Sequence, residues 1–281
     1  MTLGESLQAS SELLAQKGVD SPRLDAELLV GKALGLSRIE LYTRSDRPLS
    51  EAEQAAAEAL VERRAGREPL AYILGEWGFR RLTLRTDARA FVPRPETEVV
   101  VELALSLIEG ADAPRVLDVG TGSGAIALAI ASERPEAHVT ATDSSRAALA
   151  LARENAERLG LEIELVETRL LEGLPRPFDL VVSNPPYVAV AELESLQPEV
   201  RDWEPRGAVV EEGQTEALVE AACDSLVPGG ALVLECHEGM AQAVSKLLGS
   251  AGYIDTTITL DLAGRERVVE GRCPTTQSSG R

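Results

Sequence analysis

The sequence predicts an α/β domain built on a parallel sheet covered on both faces, preceded by a small helical bundle. Three observations carry this prediction. From Arg115 onward, short apolar runs rich in Val, Ile and Leu alternate with helical stretches, the pattern of successive β-α-β units. A glycine-rich turn, Gly120-Thr121-Gly122-Ser123-Gly124-Ala125, stands between the first such run and the helix after it. Residues 3–65, by contrast, contain helical signals and no strand-like run.

In the N-terminal part, Leu7, Leu13 and Leu14 form an apolar stripe that ends near Gly18. Ser21-Pro22 offers an N-cap followed by proline at the first helical position, and the helix runs on to a stop at Gly35. Ser50-Glu51-Ala52-Glu53 is a capping box that opens an Ala-rich helix to about Ala65. These helices suggest a partner-binding or packing role. Trp77-Gly78-Phe79 and Leu82-Thr83-Leu84 alternate like a short hairpin. Val92-Pro93-Arg94-Pro95-Glu96-Thr97-Glu98 is a stiffened, extended lead-in to a helix over Val99–Ile108.

The sheet strands follow at Val116–Val119, His138–Asp143, Ile163–Val166, Phe178–Val182 and Ala231–Cys236, with closing strands near 253–260 and 266–270. Helices are predicted from Gly124, from Ser144 or Ser145 to Gly160, over Gln214–Leu226 and over Met240–Leu248, with a turn at Pro228-Gly229-Gly230. The organisation expected is a bundle over 1–74, a hairpin linker over 75–92, an α/β domain over 93–272 and a disordered tail over 273–281.

Composition narrows the function classes. The net charge is −18, from 46 acidic against 28 basic residues, and the arginines are scattered. Such a surface repels a phosphate backbone, so direct nucleic-acid binding is not expected. No apolar run is long enough to cross a bilayer and no leader pattern opens the chain, so a cytoplasmic protein without membrane contact is expected. Three cysteines without a Cys-x-x-Cys pair, and two histidines without ligand spacing, point to no metal site.

The glycine loop has a second signal beside it. Asp143 ends the next strand, about 20 residues on, where a carboxylate can hold a ribose diol. This arrangement favours a nucleotide-containing cofactor without separating a nicotinamide from S-adenosylmethionine. Asp118, at the end of the first strand, suits a cationic ligand and opposes a pyrophosphate. Ser183-Asn184-Pro185-Pro186-Tyr187 then follows a buried strand of the same domain. Its two prolines remove backbone donors and leave carbonyls free to accept, beside a flat ring, a set suited to a planar NH2 group.

Together these residues resemble class I S-adenosylmethionine-dependent methyltransferases that act on planar nitrogen. Pro69-Leu70-Ala71-Tyr72-Ile73-Leu74-Gly75, the Val92–Glu98 stretch, Trp203-Glu204-Pro205 and Pro228-Gly229-Gly230 resemble signatures of the PrmC/HemK family. The resemblance implies a Rossmann-like domain with a seven-stranded, mostly parallel sheet. It also implies methyl transfer from S-adenosylmethionine, which becomes S-adenosylhomocysteine. The implied acceptor is the side-chain amide of the glutamine in the Gly-Gly-Gln loop of peptide-chain release factors, supporting translation termination. Carried over by position, Gly120, Thr121, Gly122, Ser123, Gly124, Asp143, Leu170 and Asn184 would contact the cofactor, with Arg94 and Thr97 near it. Asn184, Pro185, Pro186 and Tyr187 would receive the substrate amide. Two departures stand out: Thr168-Arg169 lies before Leu170 in place of Gly or Ser then Asp, and Glu235-Cys236-His237 replaces Glu-Ile-Gly.

A nucleic-acid amine methyltransferase is the nearest rival, since it would share the Asn-Pro-Pro-Tyr turn. A nicotinamide-dependent dehydrogenase leaves that turn unexplained. A module that binds the cofactor without consuming it is the third alternative.

Overall fold

The computed structural model describes residues 1–275 of the chain. They form two compact units: Met1–Glu76 with Thr86–Ala88 and Leu196–Trp203, and Trp77–Arg85 with Arg89–Ser195 and the chain from Glu204.

The first unit is helical. It contains α1 (Leu3–Gln16), α2 (Pro22–Leu34), α3 (Arg38–Thr43), α4 (Glu51–Ala65) and α5 (Leu70–Leu74). The Ser50–Glu53 capping box forms as expected, and two unforeseen ones, Thr2–Glu5 and Ser37–Glu40, open α1 and α3. Each satisfies two backbone donors left free at a helix start. Ser21 occupies the N-cap of α2, but its side chain makes no cap bond; Pro22 at the first position removes one donor instead. The core gathers Leu3, Leu7, Leu14, Leu29, Val30 and Leu41.

This unit also buries charge that helical periodicity does not announce. Glu27 accepts hydrogen bonds from Arg23, Arg38 and Tyr42. Arg64, almost wholly buried, pairs with Asp25 and with Glu199, each at 2.7 Å. Arg67 also holds Glu199, at 2.6 Å. Glu199 belongs to the short segment 196–203, which the contacts group with the helical unit although it lies inside the span expected as α/β domain. Sequence order could not show this, because the segment is recruited by paired charges.

The second unit carries the hairpin β1 (Glu76–Phe79) and β2 (Leu82–Arg85), then α6 (Thr97–Leu107), β3 (Arg115–Val119), α7 (Ala125–Glu133), β4 (His138–Asp143) and α8 (Arg146–Leu159). It continues with β5 (Glu164–Glu167) and β6 (Phe178–Ser183). Beyond the 3-10 turn at Val190–Ser195 come α9 (Pro198–Trp203, in the helical unit), α10 (Arg206–Val209) and α11 (Gln214–Cys223). β7 (Leu226–Glu235), α12 (Ala241–Ser250), β8 (Ile254–Leu260) and β9 (Glu266–Arg272) complete it.

Seven strands make one sheet in the order β5-β4-β3-β6-β7-β9-β8. The first five are parallel to their neighbours, and β9 pairs antiparallel with both β7 and β8. One face packs Val100, Val101, Ile126, Ile130, Leu180 and Val233 into a core under α6 and α7. The other packs Leu117, Val181, Leu218, Leu232, Leu248 and Val269 under α11 and α12.

Two expectations change here. Pro228-Gly229-Gly230 is not a free turn: it lies within β7, where the β6–β7 register shifts between Phe178 and Leu180. Gly229 takes φ +82°, and a Cβ on Gly230 would stand 3.0 Å from the Val227 carbonyl oxygen. The glycines thus absorb a bulge. Cys273, placed in the tail on sequence grounds, is buried and exchanges backbone bonds with Gly229 and Gly230. From residue 276 onward the expected tail lies outside the described residues. Among the described residues, no helix is long and apolar enough to cross a membrane.

The Arg64 cluster makes a stability prediction. Arg64→Ala leaves Asp25 buried without its partner, which costs about 3–5 kcal/mol by the behaviour of broken buried pairs. Denaturant unfolding followed by circular dichroism measures this; a loss below about 1 kcal/mol would show that the cluster adds no net stability.

Candidate active site

The site is built at the carboxyl ends of β3, β4 and β6. From β3 the sheet is extended on one side by β4 and β5 and on the other by β6 and β7. This is a topological switch point, where an open α/β sheet leaves a crevice. Parallel register sets Val119 opposite Ser183, so the glycine loop and the Asn184 turn leave from adjacent strand ends. The Ser183 hydroxyl donates to the Val119 carbonyl at 2.7 Å and ties the two exits together.

The glycine loop is held from several directions. Gly120 N and Thr121 N both donate to the Thr142 carbonyl at 2.9 Å. Gly122 N donates to Asp143 Oδ2 at 3.0 Å, and Ser145 N donates to Asp143 Oδ1 at 2.8 Å. Asp143 is therefore fixed against the loop, and burial pushes its carboxyl upward despite those bonds. Gly124 adopts φ +84°, and a Cβ there would sit 2.9 Å from Leu128 Cδ1 and 3.3 Å from Ala152 Cβ. Conformation and space both demand glycine at this position.

Asn155 is a supporting residue that the sequence reading missed. It is fully buried on α8. Its Nδ2 donates to the Ser123 carbonyl at 2.9 Å and to the Arg85 carbonyl at 3.1 Å, while Oδ1 accepts from Arg85 N at 2.6 Å. An asparagine among the alanines on the inward face of a helix was the available signal.

Asp118 is wholly buried. Its Oδ2 accepts from the Thr121 hydroxyl at 2.6 Å and from Ala127 N at 3.2 Å, whereas Oδ1 has no partner among the described residues. Burial, reinforced by the charge of Asp143, pushes its carboxyl up to about 7. An orphaned buried carboxylate oxygen beside a glycine loop fits a cationic ligand and disfavours a pyrophosphate.

Leu170 has φ +56°, and its carbonyl accepts a bond from the Thr142 hydroxyl at 3.3 Å, so β4 fixes the segment carrying it. Thr168 N bonds the Asp143 carbonyl at 3.2 Å and its hydroxyl bonds the Glu172 carbonyl at 3.0 Å. The Thr168-Arg169 departure thus keeps an ordered connection.

On the turn, Asn184, Pro186 and Tyr187 are half-buried and Pro185 is buried. Asn184 Nδ2 donates to the Thr97 hydroxyl at 3.3 Å. The Tyr187 ring lies 5.9 Å from the His237 ring at 46°, and burial raises its phenol to about 12, so it is a neutral ring at physiological pH. Arg94 lies over Phe91, 4.6 Å from the ring centroid, and pairs at 2.6 Å with Glu204, whose side chain is buried. This joins the Val92–Glu98 stretch to the Trp203-Glu204-Pro205 stretch. The structure therefore brings Thr97 to Asn184, whereas Arg94 is committed to Glu204 and Phe91.

The Asp118 environment predicts a pH effect. An ordinary carboxyl of this type ionises near 3.8, while the folded protein holds the Asp118 proton to about 7. Between those values the folded state binds more protons than the unfolded one, so its stability falls as pH rises. Asp118→Asn removes this term and flattens that part of the urea midpoint–pH curve. An unchanged slope would show that Asp118 is already ionised in the ligand-free protein.

Comparison with known proteins fits this architecture. Residues 5–75 match the PrmC N-terminal domain family, and residues 93–197 match the methyltransferase small domain family. A release factor glutamine methyltransferase of Geobacter sulfurreducens is 45% identical over 278 residues, covering 96% of each chain. The protein of the same description from Deinococcus radiodurans is 46% identical over 278 residues, covering 97% of this chain and 99% of its own. Among solved structures, the hMettl16 catalytic domain, in complex with MAT2A 3'UTR hairpin 6, aligns with a TM-score of 0.56. It is 16% identical and covers 82% of this chain and 84% of its own, a likeness of fold alone. With this identity spread over both units, the chain belongs to the release factor glutamine methyltransferase family.

Proposed function

We infer that this chain is an S-adenosylmethionine-dependent enzyme that methylates the side-chain amide nitrogen of the glutamine in the Gly-Gly-Gln loop of peptide-chain release factors. The observation that carries this reading is the full-length identity to relatives of that description, joined to a site whose two loops meet at one strand pair. When bound, S-adenosylmethionine supplies an electrophilic methyl group on a sulfonium sulfur.

The glycine loop from Gly120 to Gly124 would give the cofactor close backbone approach, and Asp143, Leu170 and Asn184 would help to hold it, Asp143 by its ribose. Asp118 Oδ1 would offer a negative atom to the cofactor's cationic part, which answers its lack of a partner among the described residues. Thr97 and Arg94 act at one remove, Thr97 on Asn184 and Arg94 on Glu204.

At the acceptor, an amide nitrogen is a weak nucleophile because its lone pair is delocalised into the carbonyl. Asn184 Oδ1 and the Pro185 carbonyl accept the two N–H bonds of the substrate amide. This localises the lone pair and directs it toward the methyl donor. Pro185 and Pro186 keep that turn rigid, and Tyr187, neutral by its raised phenol, covers the amide plane. Positioning of this kind is worth roughly 7–11 kcal/mol when the reacting atoms are held near contact. The proton leaves to solvent after the nitrogen is alkylated, so no strong base is required at the turn.

The cytoplasm is the matching compartment, since release factors work there. The acidic charge of −18 supports a protein acceptor over a nucleic-acid one.

Methyl-labelled S-adenosylmethionine incubated with a release factor, its loop Gln→Ala variant and duplex DNA tests the assignment. Label is expected on the unmodified factor alone; label on DNA would overturn it. Asn184→Ala is expected to lower kcat by at least about a hundredfold while cofactor affinity changes only a few fold. Near-full activity in that variant would remove Asn184 from the mechanism.

A further inference from the structure

Asn155 joins two segments that are far apart in the chain. Its Nδ2 donates to the carbonyl of Ser123 in the glycine loop at 2.9 Å and to the carbonyl of Arg85, the last residue of β2, at 3.1 Å. Its Oδ1 accepts from Arg85 N at 2.6 Å. The side-chain amide thus meets Arg85 as a neighbouring strand's backbone would, taking both its donor and its acceptor. The second N–H goes to the loop.

An asparagine amide has two N–H donors and one carbonyl, and all are used here. The opposite orientation would set Oδ1 against two carbonyls and the NH2 against an N–H, so the bonds fix a single orientation. Asn155 is 0% exposed and Ser123 3%, so water does not stand in for these bonds. Leucine of similar size would strip all three backbone groups of this partner, and aspartate would face both carbonyls with another acceptor.

Chain order makes the hairpin a linker, yet it is fastened to both ends of α7. At the far end, Arg80 pairs through two nitrogens with both carboxylate oxygens of Glu133, the last residue of that helix. Arg80 N donates to Glu98 Oε1 at 2.8 Å. Phe79, Leu82 and Leu84 are buried in one core with Ile126 and Leu128 of α7. Asn155 supplies the fastening at the near end, where the glycine loop enters the helix. The loop's neighbouring donors are engaged elsewhere: Gly124 N on the Thr121 carbonyl at 2.9 Å, and Ala127 N on Asp118 Oδ2 at 3.2 Å.

A loop that offers its backbone to a ligand binds in proportion to the time it spends in the competent arrangement. Asp118 and Asp143 hold this loop through Thr121 and Gly122, and Asn155 holds it through Ser123. We propose that Asn155 is a positioning residue for cofactor binding and that, through it, the hairpin Trp77–Arg85 is a working part of the cofactor site. This rests on the glycine loop being what holds S-adenosylmethionine. Neither Asn155 nor the hairpin needs to touch the cofactor; each acts through the loop.

The test is calorimetric titration of the full-length protein with S-adenosylmethionine, beside urea midpoints and release-factor KM for each variant. Asn155→Ala is expected to raise cofactor Kd about tenfold, as for a loop competent about a tenth of the time, with release-factor KM within about threefold. Leu248→Ala, in the core on the other face of the sheet, is the control for lost stability alone. It is expected to lower the urea midpoint and leave cofactor Kd within about threefold. On the hairpin, Arg85→Pro removes the N–H that meets Oδ1, whereas Arg85→Ala removes only the side chain. Arg85→Pro is expected to raise cofactor Kd about as much as Asn155→Ala, and Arg85→Ala to leave it within about threefold. The double variant Asn155→Ala with Arg85→Pro is expected to be no worse than the more affected single one, as for parts of one unit. Should Asn155→Ala fail to fold, the Pro–Ala comparison at Arg85 decides alone.

Asp143→Ala serves as reference for the loop itself. Wild-type cofactor Kd in Asn155→Ala beside a weakened Asp143→Ala would overturn the clamp and leave the loop assignment standing. Wild-type Kd in Asp143→Ala would overturn both. An equal rise in Leu248→Ala, equal changes in Arg85→Pro and Arg85→Ala, or additive losses in the double variant would reduce these bonds to general stability and likewise overturn the proposal.

Discussion

The parallel pairing of β3 with β6 is the constraint on which the site depends. It places Val119 beside Ser183, and the Ser183 hydroxyl closes the gap to the Val119 carbonyl. Two loops separated by more than sixty residues thereby leave the sheet side by side. One is a glycine loop tied by backbone bonds to Thr142 and Asp143, the other a proline-stiffened turn. Were β6 one strand further out, the glycine loop and the Asn184 turn would no longer leave from adjacent strand ends. Strands in a sheet lie about 4.8 Å apart, so a single strand shift already exceeds bonding distance.

Around this pairing the protein places charge where hydrophobic packing alone would not. Asp118, near the end of β3, and Glu235, at the end of β7, are both buried, and each has one oxygen without a hydrogen-bond partner among the described residues. Each is an unfavourable group to bury without a full set of partners. Asp118 braces the glycine loop through Thr121, and Thr97 holds the Asn184 turn. The paired carboxylates Glu204 and Glu199 do a different job, since arginines meet them closely.

Much of the domain was legible from residue patterns because its strands are buried on both faces and read as apolar runs. His138–Asp143 falls where expected, and the Ser50 capping box and the Gly35 and Gly160 helix stops form at the anticipated residues. Short elements were not legible. The helices Arg38–Thr43, Pro198–Trp203 and Arg206–Val209 are too brief to show a period. Pro228-Gly229-Gly230 signals a break in regular backbone, yet a bulge inside a strand and a turn between strands use the same residues. The buried Asn155 was passed over because one amide in a helix has no periodicity of its own.

The sequence by itself determined which groups are available: a glycine loop, a carboxylate at Asp143 ending the following strand, and a proline-stiffened turn at Asn184-Pro185-Pro186-Tyr187. Those assignments depend on residue type and short spacing, which a linear chain displays directly. Only the tertiary structure decided which of these groups work on one another. It drew Arg94 onto Glu204, joined Thr97 to Asn184, and recruited Glu199 to the helical unit. Each such bond joins residues far apart in the chain, and its existence follows from sheet order and register, which no local pattern encodes.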